Sequence, residues 1–414
     1  MSSLDFSRED VLLVLQGLAQ ALRGQGGRHV SDKSLFIEIR SLKGFTLEQR
    51  RELAGAALAF FDLDRNAATA GGPAETLLSR DSLEEWADLL FSPWDKAHLC
   101  FSSSGSTGRP LIHRYDMPQL TEEIRAAAPA FAGRERVVSV MPPHHIFGMM
   151  YGPLVSKYLG LPLAHASPLP LSSFFGLLRP GDLLVAFPLF WKALLDMIDG
   201  GHGARPLRFP GNVLGLTATS PCPKEVITGL LGLEKTKSPP LVGMKEIYGS
   251  TETNGVGMRH DGGEWYALFS HWRSVMLPDG SRALLAAGTG QAGKTVPLPD
   301  RIIWKDDRHF KPEKRADNAV QVGGINVYPL AVAARIREHP LVRDCAVRLM
   351  RPEEGARLKA FIVPALPLDR ASQAFGKDFK DWLAATFDAP SRPKSIRLGA
   401  SLPVNAMGKA CDWD

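Results

Sequence analysis

The sequence predicts an α/β fold: a large N-terminal domain of mostly parallel sheets covered by helices, followed by a small α+β C-terminal domain. Three observations predict it. Runs that are apolar along their length, Arg136 to Met141, Asp182 to Pro188, Val213 to Thr217 and Val242 to Tyr248, alternate with helical stretches, as strands do in a sheet covered on both faces. The notable loops follow those runs, where an open parallel sheet places its ligands. After Arg315 the pattern changes to helix, strand, strand, helix and a polar tail, which marks a second unit.

Taken in order, residues 7 to 23 read as an amphipathic helix opened by Ser7 with Asp10 three positions on. Thr46 to Phe61 is another helix, and residues 82 to 91 a third, with Ser82 and Glu85 at capping-box spacing. The apolar segment Ala97 to Phe101 leads into a turn, Ser102 to Gly108, that carries five hydroxyls and two glycines. The stretch from 260 to 300, punctuated by Pro278-Asp279-Gly280 and Gly288-Thr289-Gly290, reads as irregular. Beyond a boundary near Asp317 come a helix at Pro329 to Glu338, strands at Cys345 to Leu349 and Leu358 to Val363, and a helix at Gln373 to Thr386. The domains are therefore 1–316 and 317–414.

The 414 residues suffice for two or three domains. The formal charge of +5 is spread among nearly as many acids as bases, without a dense basic run, which argues against nucleic acid as a partner and for attraction of anionic small molecules. Cys100, Cys222, Cys345 and Cys411 form no C-x-x-C pair, so neither a disulfide framework nor a zinc site is expected, and a reducing cytoplasm fits. The N-terminus lacks a secretory pattern and Val11 to Leu15 is far short of a membrane span, so none is expected.

Three segments carry chemistry. In Ser102 to Gly108, glycines let backbone N–H groups approach an anion and the hydroxyls add donors without bulk, although the same composition also makes a flexible linker. Tyr248-Gly249-Ser250-Thr251-Glu252 offers a stacking ring, a small turn, a hydroxyl for phosphate and a carboxylate suited to Mg²⁺; alternatively it is a strand end entering a capped helix. Gly408-Lys409 lies in a tail where a lysine is ordinarily a solvated charge.

In this order, with Arg315-x-Asp317 and Gly323-Gly324 between, these segments resemble the adenylate-forming superfamily, which includes acyl- and aryl-CoA synthetases, peptide-synthetase adenylation domains and firefly luciferase. The resemblance covers roughly residues 97 to 414. It implies ATP- and Mg²⁺-dependent activation of a carboxylic acid to an acyl-adenylate with release of pyrophosphate. Transfer to a thiol follows, that of coenzyme A or of the phosphopantetheine arm of an acyl carrier protein.

Residue by residue, the resemblance implies that Ser103, Ser104, Gly105, Ser106, Thr107 and Gly108 hold the β- and γ-phosphates. Thr251 holds the α-phosphate, Glu252 the Mg²⁺, and Tyr248, Gly249 and Ser250 complete the nucleotide segment. Thr219-Ser220-Pro221 is similar to the turn along the adenine, Asp300 accepts from both ribose hydroxyls, and Arg315 follows it. His145, in Pro142 to Gly148, borders the carboxylate pocket. Lys409 bridges acid and α-phosphate, Asp317 is the hinge of a mobile small domain, and Gly323-Gly324 forms the loop of the thiol step.

Several positions depart from the family pattern. Leu111 stands where a lysine is usual, with Arg109 or Arg114 as candidates to compensate; Pro299 replaces a glycine, and Lys314 precedes Arg315. The region before the phosphate loop is short, which resembles stand-alone enzymes of bacterial aryl polyene and xanthomonadin-type pigment pathways that activate 4-hydroxybenzoate-like acids. The leading expectation is an aryl-acid ligase of the cytoplasm, monomer or homodimer. One alternative is a fatty-acyl ligase, with Gly255 and Gly257 leaving room in the pocket wall. The other is a non-catalytic relative that binds a carrier protein. Leu111 favours that view slightly, whereas Lys409, Glu252 and Asp300 together argue against it.

Overall fold

The computed structural model of the chain describes residues 4, 6–25, 39–63, 72–103, 111–166, 171–199, 208–233, 238–278, 280, 282–287, 293–298, 300–315, 319–351, 354–403 and 413. It divides into two compact units, Met1–Ser102 with Ile112–Glu313, and Ser103–Leu111 with Lys314–Asp414.

The first unit opens with four helices, α1 (Arg8–Gln25), α2 (Leu47–Phe60), α3 (Pro73–Leu78) and α4 (Leu83–Phe91). Their starts follow capping chemistry. The Asp10 carboxylate accepts from both the backbone N–H and the hydroxyl of Ser7 (2.6 and 2.9 Å), and Thr46 and Gln49 form a reciprocal capping box. At α4 the expected Ser82–Glu85 box does not form. The Ser82 hydroxyl accepts from Glu84 N and donates to the Glu84 carboxylate (2.6 Å), while Glu85 faces Arg80. Buried Val11, Val14, Leu15 and Ala19 on α1 meet Leu83, Trp86, Ala87 and Leu90 on α4, each set at helical spacing. A chain of edge-on aromatic pairs, Phe6–Trp94, Trp94–Phe61, Phe61–Phe60 and Phe60–Phe101, ties these helices to the strand pair β1 (His98–Ser103) and β2 (Leu111–Asp116).

The chain then alternates through α5 (Met117–Ala127), β3 (Arg136–Ser139), α6 (Ile146–Met149), a π-helical turn (Met150–Leu154), α7 (Val155–Leu159), β4 (Leu163–His165), α8 (Leu171–Phe174), β5 (Asp182–Val185), α9 (Pro188–Asp199), β6 (Leu214–Thr217), α10 (Lys224–Leu231) and β7 (Gly243–Ser250). Strands β8 (Asn254–His260), β9 (Tyr266–Leu268), β10 (Trp272–Met276), β11 (Arg282–Ala286), β12 (Thr295–Val296), β13 (Asp300–Trp304) and β14 (His309–Arg315) follow. Nine of these strands make one sheet in the order β13-β14-β9-β8-β7-β6-β5-β3-β4. Strands β4, β3, β5, β6 and β7 run parallel, and β8, β9 and β14 continue antiparallel. Alternate residues feed opposite cores: Val137, Leu183 and Val185 join one apolar cluster, Val138 and Leu184 the other, so both faces are covered.

The stretch from 260 to 300, expected to be irregular, instead holds β9 to β12. Strands β10 and β11 pair from Trp272↔Ala286 to Met276↔Arg282 across the Pro278–Gly280 segment. Their mixed exposure, with Trp272 buried and Met276 61% exposed, hides the period-two signal.

The second unit contains the hairpin β15 (Val320–Val322) and β16 (Ile325–Val327), then α11 (Pro329–Arg337), β17 (Val342–Leu349), β18 (Leu358–Pro364), α12 (Leu368–Ala374), α13 (Lys377–Thr386) and β19 (Ser395–Leu398). Strand β18 is central, antiparallel to β17 and parallel to β19. The single helix expected over Gln373 to Thr386 is two, broken at Phe375-Gly376, because glycine interrupts the helical run. No helix among the described residues is long and apolar enough to cross a membrane.

Candidate active site

The turn from β7 to β8 carries Thr251 and Glu252. It is held internally: Ser250 N donates to Thr253 Oγ1 (3.2 Å), and Glu252 N and Thr253 N both donate to Ser250 Oγ (3.3 Å each). Gly249 is required at the bulge beside Tyr248, because a Cβ there would collide with the Asn254 carbonyl oxygen. From outside, the Tyr115 hydroxyl donates to the Thr251 carbonyl (2.7 Å). Oε2 of Glu252 is sealed from solvent and has no hydrogen-bond partner among the described residues. An orphaned buried carboxylate oxygen suits a hard cation held jointly with phosphate oxygens. Among the described residues no group of three or more His, Cys, Asp or Glu could hold a metal ion.

The Tyr248 hydroxyl donates to Asp300 Oδ2 (2.6 Å), so the first residue of β13 stands against β7. The ring packs on Phe310 and Tyr266, at 5.3 and 5.8 Å between centroids. Next to β7, the loop after β6 places Thr219 at φ +78°, a left-handed conformation that is strained for a β-branched residue, followed by half-buried Ser220. The loop is anchored by Glu246 of β7, which accepts from Cys222 N (3.2 Å), the Tyr266 hydroxyl (2.7 Å) and the Arg259 guanidinium (2.8 Å).

The loop after β3 carries His145, exposed at the start of α6. Gly148 is required here too, since a Cβ would strike the Pro142 carbonyl. His144 packs against His145 with the rings tilted (4.5 Å between centroids), and burial holds its pKa well below the usual imidazole value. One turn on, the Tyr151 hydroxyl donates to Oε1 of Glu123 (2.8 Å), and Gly255 N donates to Oε2 (2.6 Å). Burial pushes the Glu123 carboxyl up to about 7.

A scan against models of known protein families finds none that matches. Among curated proteins, a 4-coumarate–CoA ligase of Halorhodospira halophila is 34% identical over 363 residues, 87% of this chain and 86% of that protein. The chain belongs to the adenylate-forming superfamily of acyl- and aryl-CoA synthetases. A second 4-coumarate–CoA ligase, from Rhodobacter capsulatus, is 33% identical over 386 residues, 90% of each chain. The o-succinylbenzoate CoA synthetase of Bacillus subtilis superposes with a TM-score of 0.63 at 13% identity, covering 97% of this chain and 91% of that one, a likeness of fold. As an adenylate-forming enzyme the protein is an AMP-forming acid–thiol ligase, and its family draws on ATP, Mg²⁺ and CoA.

Within this adenylate-forming fold, Tyr248, Gly249, Ser250, Thr251 and Glu252 lie together at the carboxyl end of β7, with Asp300 bonded to Tyr248. Ser220 and His145 follow β6 and β3 of the same sheet. Ser103 closes β1 and Arg315 closes β14. Ser104, Gly105, Ser106, Thr107, Gly108, Asp317 and Lys409 lie outside the described residues. Gly323 and Gly324, at φ +61° and +84°, form the turn of the β15–β16 hairpin in the second unit.

Two expectations are corrected. Gly255 and Gly257 do not leave room: a Cβ at Gly255 would strike the Glu123 carboxylate, and one at Gly257 would meet the Ala267 carbonyl (2.5 Å) and the Phe310 ring (2.8 Å). Arg114 does not stand in for the lysine missing at Leu111. Its guanidinium is held by Asp62 (2.7 Å) and His98 (3.0 Å). Sequence reasoning also missed Glu123, Tyr115 and Tyr151. For Glu123 a signal existed, since Leu120, Glu123, Ile124 and Ala127 share the buried face of α5.

Proposed function

We propose that the protein activates an aryl acid of the 4-coumarate or hydroxybenzoate type with ATP and transfers the acyl group to coenzyme A in the cytoplasm. The observation that carries this reading is the turn Ser250–Thr253, with the sealed Oε2 of Glu252 and the Tyr248–Asp300 pair beside it, in a chain 34% identical to a 4-coumarate–CoA ligase. In the first step a substrate carboxylate oxygen attacks the α-phosphorus, and the bond to the β-phosphate breaks, releasing pyrophosphate. In the second the thiol sulfur attacks the acyl carbon, losing its proton, and AMP leaves. Side chains have little covalent work here, so rate comes from alignment and charge stabilisation.

Thr251 would donate to the α-phosphate and Asp300 would accept from the ribose hydroxyls, held in place by Tyr248. Glu252 would hold Mg²⁺, which when bound neutralises phosphate charge. His145 would border the acid, Ser103 to Gly108 would hold the outer phosphates, and Lys409 would bridge the acid and α-phosphate. Rotation about Asp317 would then exchange Lys409 for the Gly323-Gly324 loop.

ATP–pyrophosphate exchange over benzoic, cinnamic and fatty acids tests the reading, with Lys409→Ala as control. We expect exchange with hydroxylated aryl acids and a drop of about 10²–10³-fold in the variant, as for loss of one preorganised donor. Exchange with fatty acids alone would remove the aryl assignment, and exchange with no acid would favour a binding module.

A further inference from the structure

We infer that Glu123 is a positioning residue that sets the spacing between the acid-binding and nucleotide-binding segments. Its carboxylate is the point where the two meet. Oε1 accepts from Tyr151, in the π-helical turn that continues the His145 segment, and Oε2 accepts from Gly255 N, the third residue beyond Glu252. One rigid group thereby fixes the distance between the strand leaving the Thr251–Glu252 turn and the helix that starts at His145. Gly255 is a glycine because the carboxylate occupies the place of a Cβ. Tyr115, eight residues before Glu123, holds the other side of the same turn through the Thr251 carbonyl.

A carboxylate is an unusual choice for such a strut. Glu123 is 1% exposed, and among the described residues no ammonium or guanidinium is hydrogen bonded to it. The groups around it are the Tyr151 and Tyr115 phenols, neighbouring Glu122, and His271, which shares with it the wall of a small cavity of about 20 Å³. Burying an acid without a cation is costly, and a leucine at this point of the apolar face of α5 would pack without that cost. What leucine cannot do is accept two hydrogen bonds from two different segments at fixed angles. That property matters for the in-line approach of a carboxylate to an α-phosphate, where misplacement by about 1 Å costs on the order of 10²-fold in rate.

The inference rests on the assignment of Thr251 and Glu252 to the nucleotide, and one set of variants separates the two. In ATP–pyrophosphate exchange with the best aryl acid, Glu123→Ala and Tyr151→Phe should each lower kcat by roughly 10- to 100-fold while the KM values for ATP and acid change by less than about threefold, the signature of lost alignment. Glu123→Gln, which still accepts from Gly255 through its oxygen and meets Tyr151 through its amide, should recover most of the loss. The double variant Glu123→Ala/Tyr151→Phe should be no slower than the slower single one, because both remove the same link. Unchanged kcat in Tyr151→Phe, or a rise in KM alone, would overturn the inference even if Glu123→Ala fails to fold. Thr251→Ala is the control: full activity there would remove the nucleotide assignment itself, whereas a slow Thr251→Ala beside a normal Tyr151→Phe would remove only the strut.

Discussion

Tyr248 donates its phenolic hydroxyl to Oδ2 of Asp300 across 2.6 Å, and so joins the strand that enters the Ser250–Thr253 turn to the first residue of β13. The bond fixes the carboxylate in one orientation, a condition for accepting from two adjacent ribose hydroxyls at once. A hydrogen bond to a charged acceptor is worth about 1.5–3 kcal/mol. Tyr248→Phe should therefore raise the KM for ATP by roughly tenfold or more, with kcat in ATP–pyrophosphate exchange little changed. Asp300→Ala should have a larger effect. If Asp300 binds the ribose, its penalty shrinks when 2′-deoxy-ATP replaces ATP, and an equal penalty with both nucleotides would place the carboxylate elsewhere.

Gly249 and Gly255 give a steric prediction. A methyl group at Gly249 would collide with the Asn254 carbonyl, and one at Gly255 with the Glu123 carboxylate, both fixed by other contacts. At Gly249 the obstacle is backbone, and at Gly255 it is a buried carboxylate held by Tyr151 and by the Gly255 N–H, so each alanine variant should lower stability by about 1–3 kcal/mol or more, read as a shifted midpoint in urea. Had Gly255 widened an acyl pocket, Gly255→Ala would instead leave stability unchanged and narrow the range of acids accepted.

How far these features were legible in the sequence follows from the kind of interaction involved. The helices α1, α2 and α4 were readable because Ser7, Thr46 and Ser82 act on residues two or three positions away and their apolar stripes repeat at helical spacing. The parallel strands were readable because burial on both faces leaves uninterrupted apolar runs such as Leu183, Leu184 and Val185. Strands β9 to β12 were not, since short antiparallel strands with exposed Arg273 and Met276 resemble loop sequence until their partners are known. The site divides in the same way. Tyr248 to Glu252 is contiguous and could be read, whereas the links from Glu123 to Gly255 and from Tyr115 to Thr251 span 132 and 136 residues, which no local pattern encodes.

The buried Glu123 also gives a dependence on pH. Burial raises its carboxyl from an ordinary value near 4.5 to about 7, so ionisation is harder in the folded state than in the unfolded chain. Its contribution to stability is fully present below about pH 4.5, and it declines as the pH rises and is lost above about pH 7, an effect on the order of 3 kcal/mol. The wild type should melt at a lower temperature at about pH 8 than at about pH 5.5, and Glu123→Gln should lack this part of the slope. A calorimetric comparison in which both proteins lose equally between these conditions would contradict the assignment.

The second unit offers a prediction for the thiol step alone. Residues 314 to 414 contain 16 Lys and Arg against 11 Asp and Glu, a net +5 that equals the charge of the whole chain, which leaves residues 1 to 313 balanced at 33 of each. In that unit a groove of about 910 Å³ has a cationic side, Arg357, Lys380, Arg392, Lys394 and Arg397, and an apolar side that includes Phe375, Leu383 and Ile396. Arg357 and Arg392 donate to backbone carbonyls, among them those of Ala389 and Phe387, and so shape the segment between α13 and β19. Lys380 and Lys394 then add ammonium groups to a concave, cationic surface that suits the phosphates of coenzyme A. Replacing both lysines by alanine should raise the KM for coenzyme A by roughly tenfold and flatten its rise with salt, since exposed charges act through a screened field. Exchange of pyrophosphate into ATP, which needs no thiol, should be unaffected. Loss of exchange in the double variant, or an unaltered KM for coenzyme A, would show that the groove serves something other than the acceptor.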